Sequence, residues 1–106
     1  MPTSISAIIV NYNAGTFLTN CVLATLNQVQ QIIVVDNASC DSSLLELEAR
    51  LPNEKHLQII RLNSNTGFAA GCNTGLSAST QPYILFLNPD CILGESSLHR
   101  MMEVME

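Results

Sequence analysis

Positive charge is scarce in this sequence. Its four basic residues, Arg50, Lys55, Arg61 and Arg100, stand against nine acidic ones for a net charge of −5. They are scattered, and a sequence-independent grip on DNA or RNA needs a basic stripe, so nucleic acid is not an expected partner. Long apolar runs are missing too. Ile32 to Val35 and Tyr83 to Leu87 fall far short of the roughly 20 residues that span a bilayer. The opening Met1-Pro2-Thr3-Ser4 has neither the basic stretch nor the longer apolar run of a secretory signal. The expected compartment is therefore the cytoplasm, including the inner face of its membrane. Cys21, Cys40, Cys72 and Cys91 form no Cys-x-x-Cys pair. That predicts reduced thiols, and a zinc site would need them to converge with His56 or His99 from distant segments.

What is present suffices for one domain over residues 1–106. A hydrophobic share of 47% with 12% charged residues supplies a core and argues against disorder. The apolar residues come in four short episodes, Ile5 to Val10, Ile32 to Val35, Leu57 to Leu62 and Tyr83 to Leu87. The first, second and fourth are nearly continuous, as strands covered on both faces should be. The third alternates at Gln58 and Arg61, which predicts an edge strand.

Between the strands the spacing turns helical. Leu18, Cys21, Val22, Thr25, Leu26 and Val29 recur on one face, and Leu44, Leu47 and Leu51 repeat the pattern behind a Ser43 to Glu46 capping box. Phe68, Cys72, Leu76 and Ser79 mark a third helix, and Leu98, Met101, Met102 and Met105 a fourth. Four strand–helix units predict an α/β fold, a four-stranded, mostly parallel sheet with helices on both faces.

Ligands of such sheets bind beyond the carboxyl ends of the strands. Those ends read Asn11-Tyr12-Asn13, Asp36-Asn37, Asn63-Ser64-Asn65 and Asn88-Pro89-Asp90. Asp36 and Asp90 each follow an apolar strand directly. One reading of Asp36 is an Asx turn through Ser39. The other is recognition of a ring N–H such as uracil, thymine or guanine presents, since an ionised carboxylate only accepts. Asp90 suits a hard divalent cation, magnesium or manganese, held beside substrate phosphates. With so few cations in the chain, a metal and helix N-termini would have to offset a diphosphate.

Gly67, Gly71 and Gly75 are spaced by four. Either they let a smooth helix pack tightly on the sheet, or they let backbone approach a ligand, with Asn65 and Asn73 meeting a ribose or phosphate. Other chemistries lack their residues: no Gly-x-Gly-x-x-Gly follows strand one, no Gly-Lys-Ser/Thr is present, and Lys55 is the only lysine. Cys40 and Cys91 have no nearby histidine to activate them.

Four segments resemble, as a set and in order, the amino-terminal half of family 2 glycosyltransferases, especially the rhamnosyltransferase-like members. They are Ile8-Ile9-Val10-Asn11-Tyr12-Asn13, Ile33-Val34-Val35-Asp36-Asn37-Ala38-Ser39, Asn65-Thr66-Gly67-Phe68-Ala69-Ala70-Gly71-Cys72-Asn73 and Phe86-Leu87-Asn88-Pro89-Asp90. The resemblance implies a GT-A fold with a Rossmann-like nucleotide-binding half. It also implies a nucleotide-diphospho-sugar donor, with a uracil or thymine base, and inverting transfer to the hydroxyl of a saccharide or lipid-linked acceptor. By the same resemblance Asn11, Tyr12, Asn13 and Asp36 with Asn37 form the base pocket, and Asn65, Gly67, Gly71 and Asn73 border nucleotide and sugar. Asn88 and Asp90 stand where the family carries its Asp-x-Asp metal motif, one carboxylate having become an amide. Family members run further and carry the general base in that later part, so the isolated chain is expected to bind donor without catalysing transfer. A non-catalytic nucleotide-binding or interaction module of the same fold is the competing expectation. An uncovered Tyr83 to Leu87 strand would further favour a homo-oligomer.

Overall fold

The computed structural model of the chain describes residues 3–90. The fourth predicted helix, Cys91 and His99 lie outside them. The chain alternates β1 (Thr3–Asn11), α1 (Thr16–Thr25), β2 (Val29–Asp36), α2 (Ser43–Arg50), β3 (Leu57–Arg61), α3 (Phe68–Ala78) and β4 (Tyr83–Leu87). All strand pairs are parallel, in the order β3-β2-β1-β4. β1 and β2 are the inner strands, which is why their sequences are continuously apolar, and β3 takes an edge as its alternation predicts.

Period-two alternation sorts the side chains between two layers. Ile5, Ala7 and Ile9 of β1 and Ile32 and Val34 of β2 face α1 and α2, where they pack with Leu18, Cys21, Val22 and Leu47. Ile8, Ile33 and Val35 form the smaller layer on the other face, under α3. Burying one such Val, Leu or Ile fully is worth about 1.5–3 kcal/mol, so most of the stability comes from the first layer.

Three local expectations are corrected. Val29 opens β2 instead of closing the α1 stripe, because α1 ends at Thr25 and Gln28 N–H turns back to the Thr25 carbonyl at 2.9 Å. The capping box does not form: Ser42 is the N-cap, without a side-chain bond, and Ser43 is buried in the first turn. In α3 the buried residues are Gly71 and Gly75, while Phe68 and Leu76 of the predicted stripe are exposed.

The glycines explain that last inversion. A Cβ on Gly71 would stand 2.8 Å from Val10 Cγ1, and one on Gly75 would stand 2.5 Å from Ile8 Cγ2. The helix lies on the sheet at a distance only glycine allows, and the larger side chains turn outward. β4 also departs from the double-sided burial its sequence suggests. Tyr83 and Phe86 are exposed, and only Leu87 is buried. Within the described residues β4 has a strand on one side alone.

Candidate functional site

A cavity of about 550 Å³ opens at the carboxyl rim of the sheet, a volume in the range that holds small-molecule ligands. Every strand end contributes. Val10 and Tyr12 come from the end of β1, with Ala14 and Phe17 from the approach to α1; Asn37 follows β2. Asn65, Gly67 and Phe68 lead into α3, and Asn88, Pro89 and Asp90 follow β4.

Six of the residues singled out in the sequence meet here: Tyr12, Asn37, Asn65, Gly67, Asn88 and Asp90. Tyr12, Asn65, Asn88 and Asp90 are exposed, and Asn37 is buried at the back. Its amide is almost fully engaged. Oδ1 accepts from Thr66 N–H at 3.1 Å and the Thr66 hydroxyl at 3.0 Å, and Nδ2 donates to the Gly67 carbonyl at 2.9 Å. One Nδ2 hydrogen is left over.

The other five do not line the cavity. Gly71 is spent on the close approach to Val10, where an added Cβ would also stand 3.4 Å from Asn37 Nδ2, so tight packing is the role the geometry fills. Asn73 is exposed further along α3. Asn11, Asn13 and Asp36 are tied to one another's loops. Asp36 Oδ1 accepts from Asn11 Nδ2 at 2.8 Å and from the Ser39 hydroxyl at 2.7 Å, while Oδ2 accepts from Ser39 N–H at 3.0 Å. Asp36 and Asp90 therefore share a rim without being neighbours, because β1 separates their strands. At about 4.8 Å per strand spacing, the two strand ends lie about 10 Å apart.

Sequence reasoning missed two groups. Phe17 and Phe68 are both 55% exposed yet line the cavity; large aromatics left open at helix N-termini were the available signal. Asp41 gave no signal either, and Ser43 reads in the sequence only as a helix cap. Asp41 Oδ2 accepts from Gly15 N–H at 2.9 Å, and Oδ1 accepts from the Ser43 hydroxyl at 2.6 Å and Ser43 N–H at 3.1 Å. These bonds, the Ser43 hydroxyl first, hold the Asp41 carboxyl below its ordinary value of 3.8 against a smaller opposing effect of burial.

The electrostatics of the cavity come from backbone and one carboxylate. Among the described residues no lysine, arginine or histidine lines it. α1 and α3 both begin at its edge, and neither N-terminus carries a side-chain cap; Phe17 N–H of α1 is engaged by the Ala14 carbonyl at 3.2 Å, which leaves the first-turn N–H groups of α3 and the positive helix ends available to an anion. Gly67, at φ 88 and ψ 168, turns the chain into α3 in a conformation reserved for glycine. Asp90 and Asn88 offer hard oxygen donors. Among the described residues no three His, Cys, Asp or Glu side chains cluster as a metal cage. A divalent cation here would take one carboxylate from the protein and complete its shell with ligand phosphate and water, the usual pattern for magnesium.

An open parallel sheet with helices on both faces and a polar crevice at its carboxyl rim defines an α/β domain of the nucleotide-binding kind. The family model "Glycosyl transferase family 2" matches residues 6–106, and the chain belongs to that family. A glycosyltransferase of Haemophilus influenzae is 31% identical over 104 residues, covering 95% of this chain and 42% of the relative. Among solved structures, Staphylococcus aureus TarS 1-349 in complex with UDP-GlcNAc superposes with a TM-score of 0.82 at 23% identity, covering 99% of this chain and 31% of that one. The mannosyltransferase PcManGT from Pyrobaculum calidifontis, in complex with GDP-Man and Mn2+, gives 0.83 at 17% identity, covering 97% and 32%. These likenesses establish a GT-A type fold. The chain spans less than half the length of the proteins it matches.

Proposed function

We propose that this chain is the donor-binding half of an inverting glycosyltransferase and takes a nucleotide-diphospho-sugar with a uracil or thymine base, as UDP or dTDP carries. The observation that carries the reading is the cavity itself. It has the Asn37 amide after β2 and Asp90 with Asn88 after β4, about 10 Å apart by strand spacing, with the Tyr12 aromatic ring after β1, the strand between them. That is the span of a nucleoside from its base to its diphosphate. TarS and PcManGT, which share the fold, are described with UDP-GlcNAc and with GDP-Man and Mn2+, and this supports a sugar nucleotide in the same crevice.

The division of labour follows from chemistry. Tyr12 presents a ring on which a flat base stacks. Asn37 presents its spare N–H, which suits a base carbonyl. Because Asp36 is consumed within the protein, base contact passes from it to its neighbour. The start of α3, with Asn65 and Gly67, stands beside Asn37, whose Nδ2 donates to the Gly67 carbonyl, and so borders the nucleoside. Asp90, with Asn88, would hold magnesium or manganese, which when bound neutralises diphosphate charge; with no cationic side chain in the cavity wall among the described residues, donor binding is proposed to depend on that metal. The general base and the acceptor site, whether for a saccharide or a lipid-linked sugar, are assigned to the part of the family that this chain, matching 42% of its Haemophilus relative, does not span. Transfer by this chain alone is not expected. The cytoplasm, including its membrane surface, is the compartment that supplies such donors, and among the described residues no helix is long and apolar enough to cross a membrane.

Calorimetry tests the reading. UDP or dTDP is expected to give binding heat with manganese and at least about tenfold weaker binding without it, and Asp90→Asn is expected to remove the manganese effect. Absence of heat at millimolar nucleotide, with metal present, would overturn it. Adding the remainder of a family 2 enzyme and finding transfer separates this reading from that of a non-catalytic module.

A further inference from the structure

The residues after β1 and β2 divide by alternation. Tyr12 and Ala14 line the cavity, and Asn37 does so from the second loop. Their neighbours Asn11, Asn13 and Gly15, with Asp36, Ser39, Cys40 and Asp41 opposite, line none of it and bond to one another. Asn11 Nδ2 donates to Asp36 Oδ1 and, at 2.9 Å, to Ser43 Oγ. Asn13 N–H donates to Ser39 Oγ at 2.9 Å, and Asn13 Oδ1 accepts from Cys40 N–H at 2.7 Å and Asp41 N–H at 3.2 Å. Asp41 closes the circuit through Gly15 N–H and the Ser43 hydroxyl.

This circuit restrains backbone that would otherwise relax. Asn13 at φ 53 and Ala38 at φ 61 are both left-handed, and for an alanine that conformation costs about 1 kcal/mol. Ala38 sits between Asn37 and Ser39, so Ser39, held by both oxygens of Asp36, fixes the turn that aims Asn37. The direction of the Asn11 amide is also forced: a carboxylate oxygen stands 2.8 Å from Nδ2, which only the NH2 end tolerates. Asn11 Oδ1 is left buried without a partner. The arrangement accepts an unmade buried bond in order to keep Asp36 ligated.

We infer that Asp36 is a positioning residue, the hub of a two-loop clamp that presents Tyr12 and Asn37 to the base, and that it does not itself touch the donor. The inference rests on the donor reading above and assigns the clamp to one end of that site. Asp90, beyond β1 and outside the circuit, works independently of it.

That independence is what an experiment reads. In Asp36→Asn an amide NH2 must face either Ser39 N–H or Asn11 Nδ2, so one charge-assisted bond is lost and Asn37 is released. UDP binding with manganese is expected to weaken about tenfold, the scale of one such bond. Manganese pyrophosphate, which has no base to present, is expected to bind within about twofold of wild type. Ser39→Ala, which leaves the Asp36 charge in place, should show the same split and serves if Asp36→Asn does not fold by circular dichroism. Folded variants that lose UDP and pyrophosphate equally, or neither, overturn the clamp while leaving the donor reading intact. A wild-type chain that binds neither ligand overturns the donor reading, and the clamp with it.

Discussion

Asp36 and Asn37 are adjacent in sequence and opposite in circumstance. One turns its carboxylate toward Asn11 and Ser39; the other turns its amide toward the cavity. The apolar run that ends at Asp36 made the carboxylate conspicuous, and the Asx-turn alternative was legible beside it. What the sequence did not reveal is that a one-residue change of face puts the Asn37 side chain, not that of Asp36, at the cavity, because a strand flips faces at every step. Asp41 was invisible for a related reason: its role depends on Gly15 and Ser43, which arrive from other segments. It yields a pH test. Since folding lowers the Asp41 pKa below 3.8, its stabilisation is present above that value and is lost as pH falls through the lower, folded value. Thermal melts of wild type and Asp41→Asn should therefore differ at pH 6 and converge in more acidic solution. A difference independent of pH would deny Asp41 that role. At the thiols, burial raises the Cys72 pKa while Cys40 is exposed. Iodoacetamide at neutral pH should thus label Cys40 well before Cys72, and mass spectrometry of the peptides checks the order.

At the scale of elements, strand and helix identities followed from period alone, and boundaries and faces did not. Ile, Val and Leu runs of four to six residues have no reading but strand here, and β3 declared its edge by Gln58 and Arg61, the latter paired at 2.5 Å with Glu48 on the exposed side. α3 misled because its large residues, Phe68 and Leu76, look like a core stripe. The burial is done by Gly71 and Gly75, one helical step around. Gly75 supplies the test. Gly75→Ala drives a methyl into Ile8, which is 1% exposed and has nowhere to go, so a loss of about 1–3 kcal/mol is expected by urea denaturation. That loss should leave nucleotide affinity of the folded fraction unchanged, because Ile8 lies a turn below the rim. A neutral Gly75→Ala would mean that α3 stands off the sheet.

At the scale of the molecule, the order β3-β2-β1-β4 puts the most buried strands at the centre and places the point where the strand order reverses, between β1 and β4, at the cavity. The parallel α/β sheet and the edge place of β3 could be read from the strand–helix alternation; the order of the other strands could not. The outer edge could not, because exposure of Tyr83 and Phe86 depends on what packs beside β4. A homo-oligomer formed along that edge remains the expectation for the isolated chain. Light scattering should return more than one chain per particle at high concentration, and Phe86→Lys should shift it to monomer; a monomer throughout would contradict it. The central claim is more direct, that a pyrimidine diphosphate lies across the carboxyl rim from Tyr12 to Asp90. Nitrogen-15 NMR of the labelled chain during titration with UDP and magnesium reads it residue by residue. The account predicts shifts concentrated at Tyr12, Asn37, Gly67 and Asn88. Shifts gathered instead at the opposite end, in the depression formed by Arg50, Leu51 and Glu54, or no shifts at millimolar UDP, would contradict it.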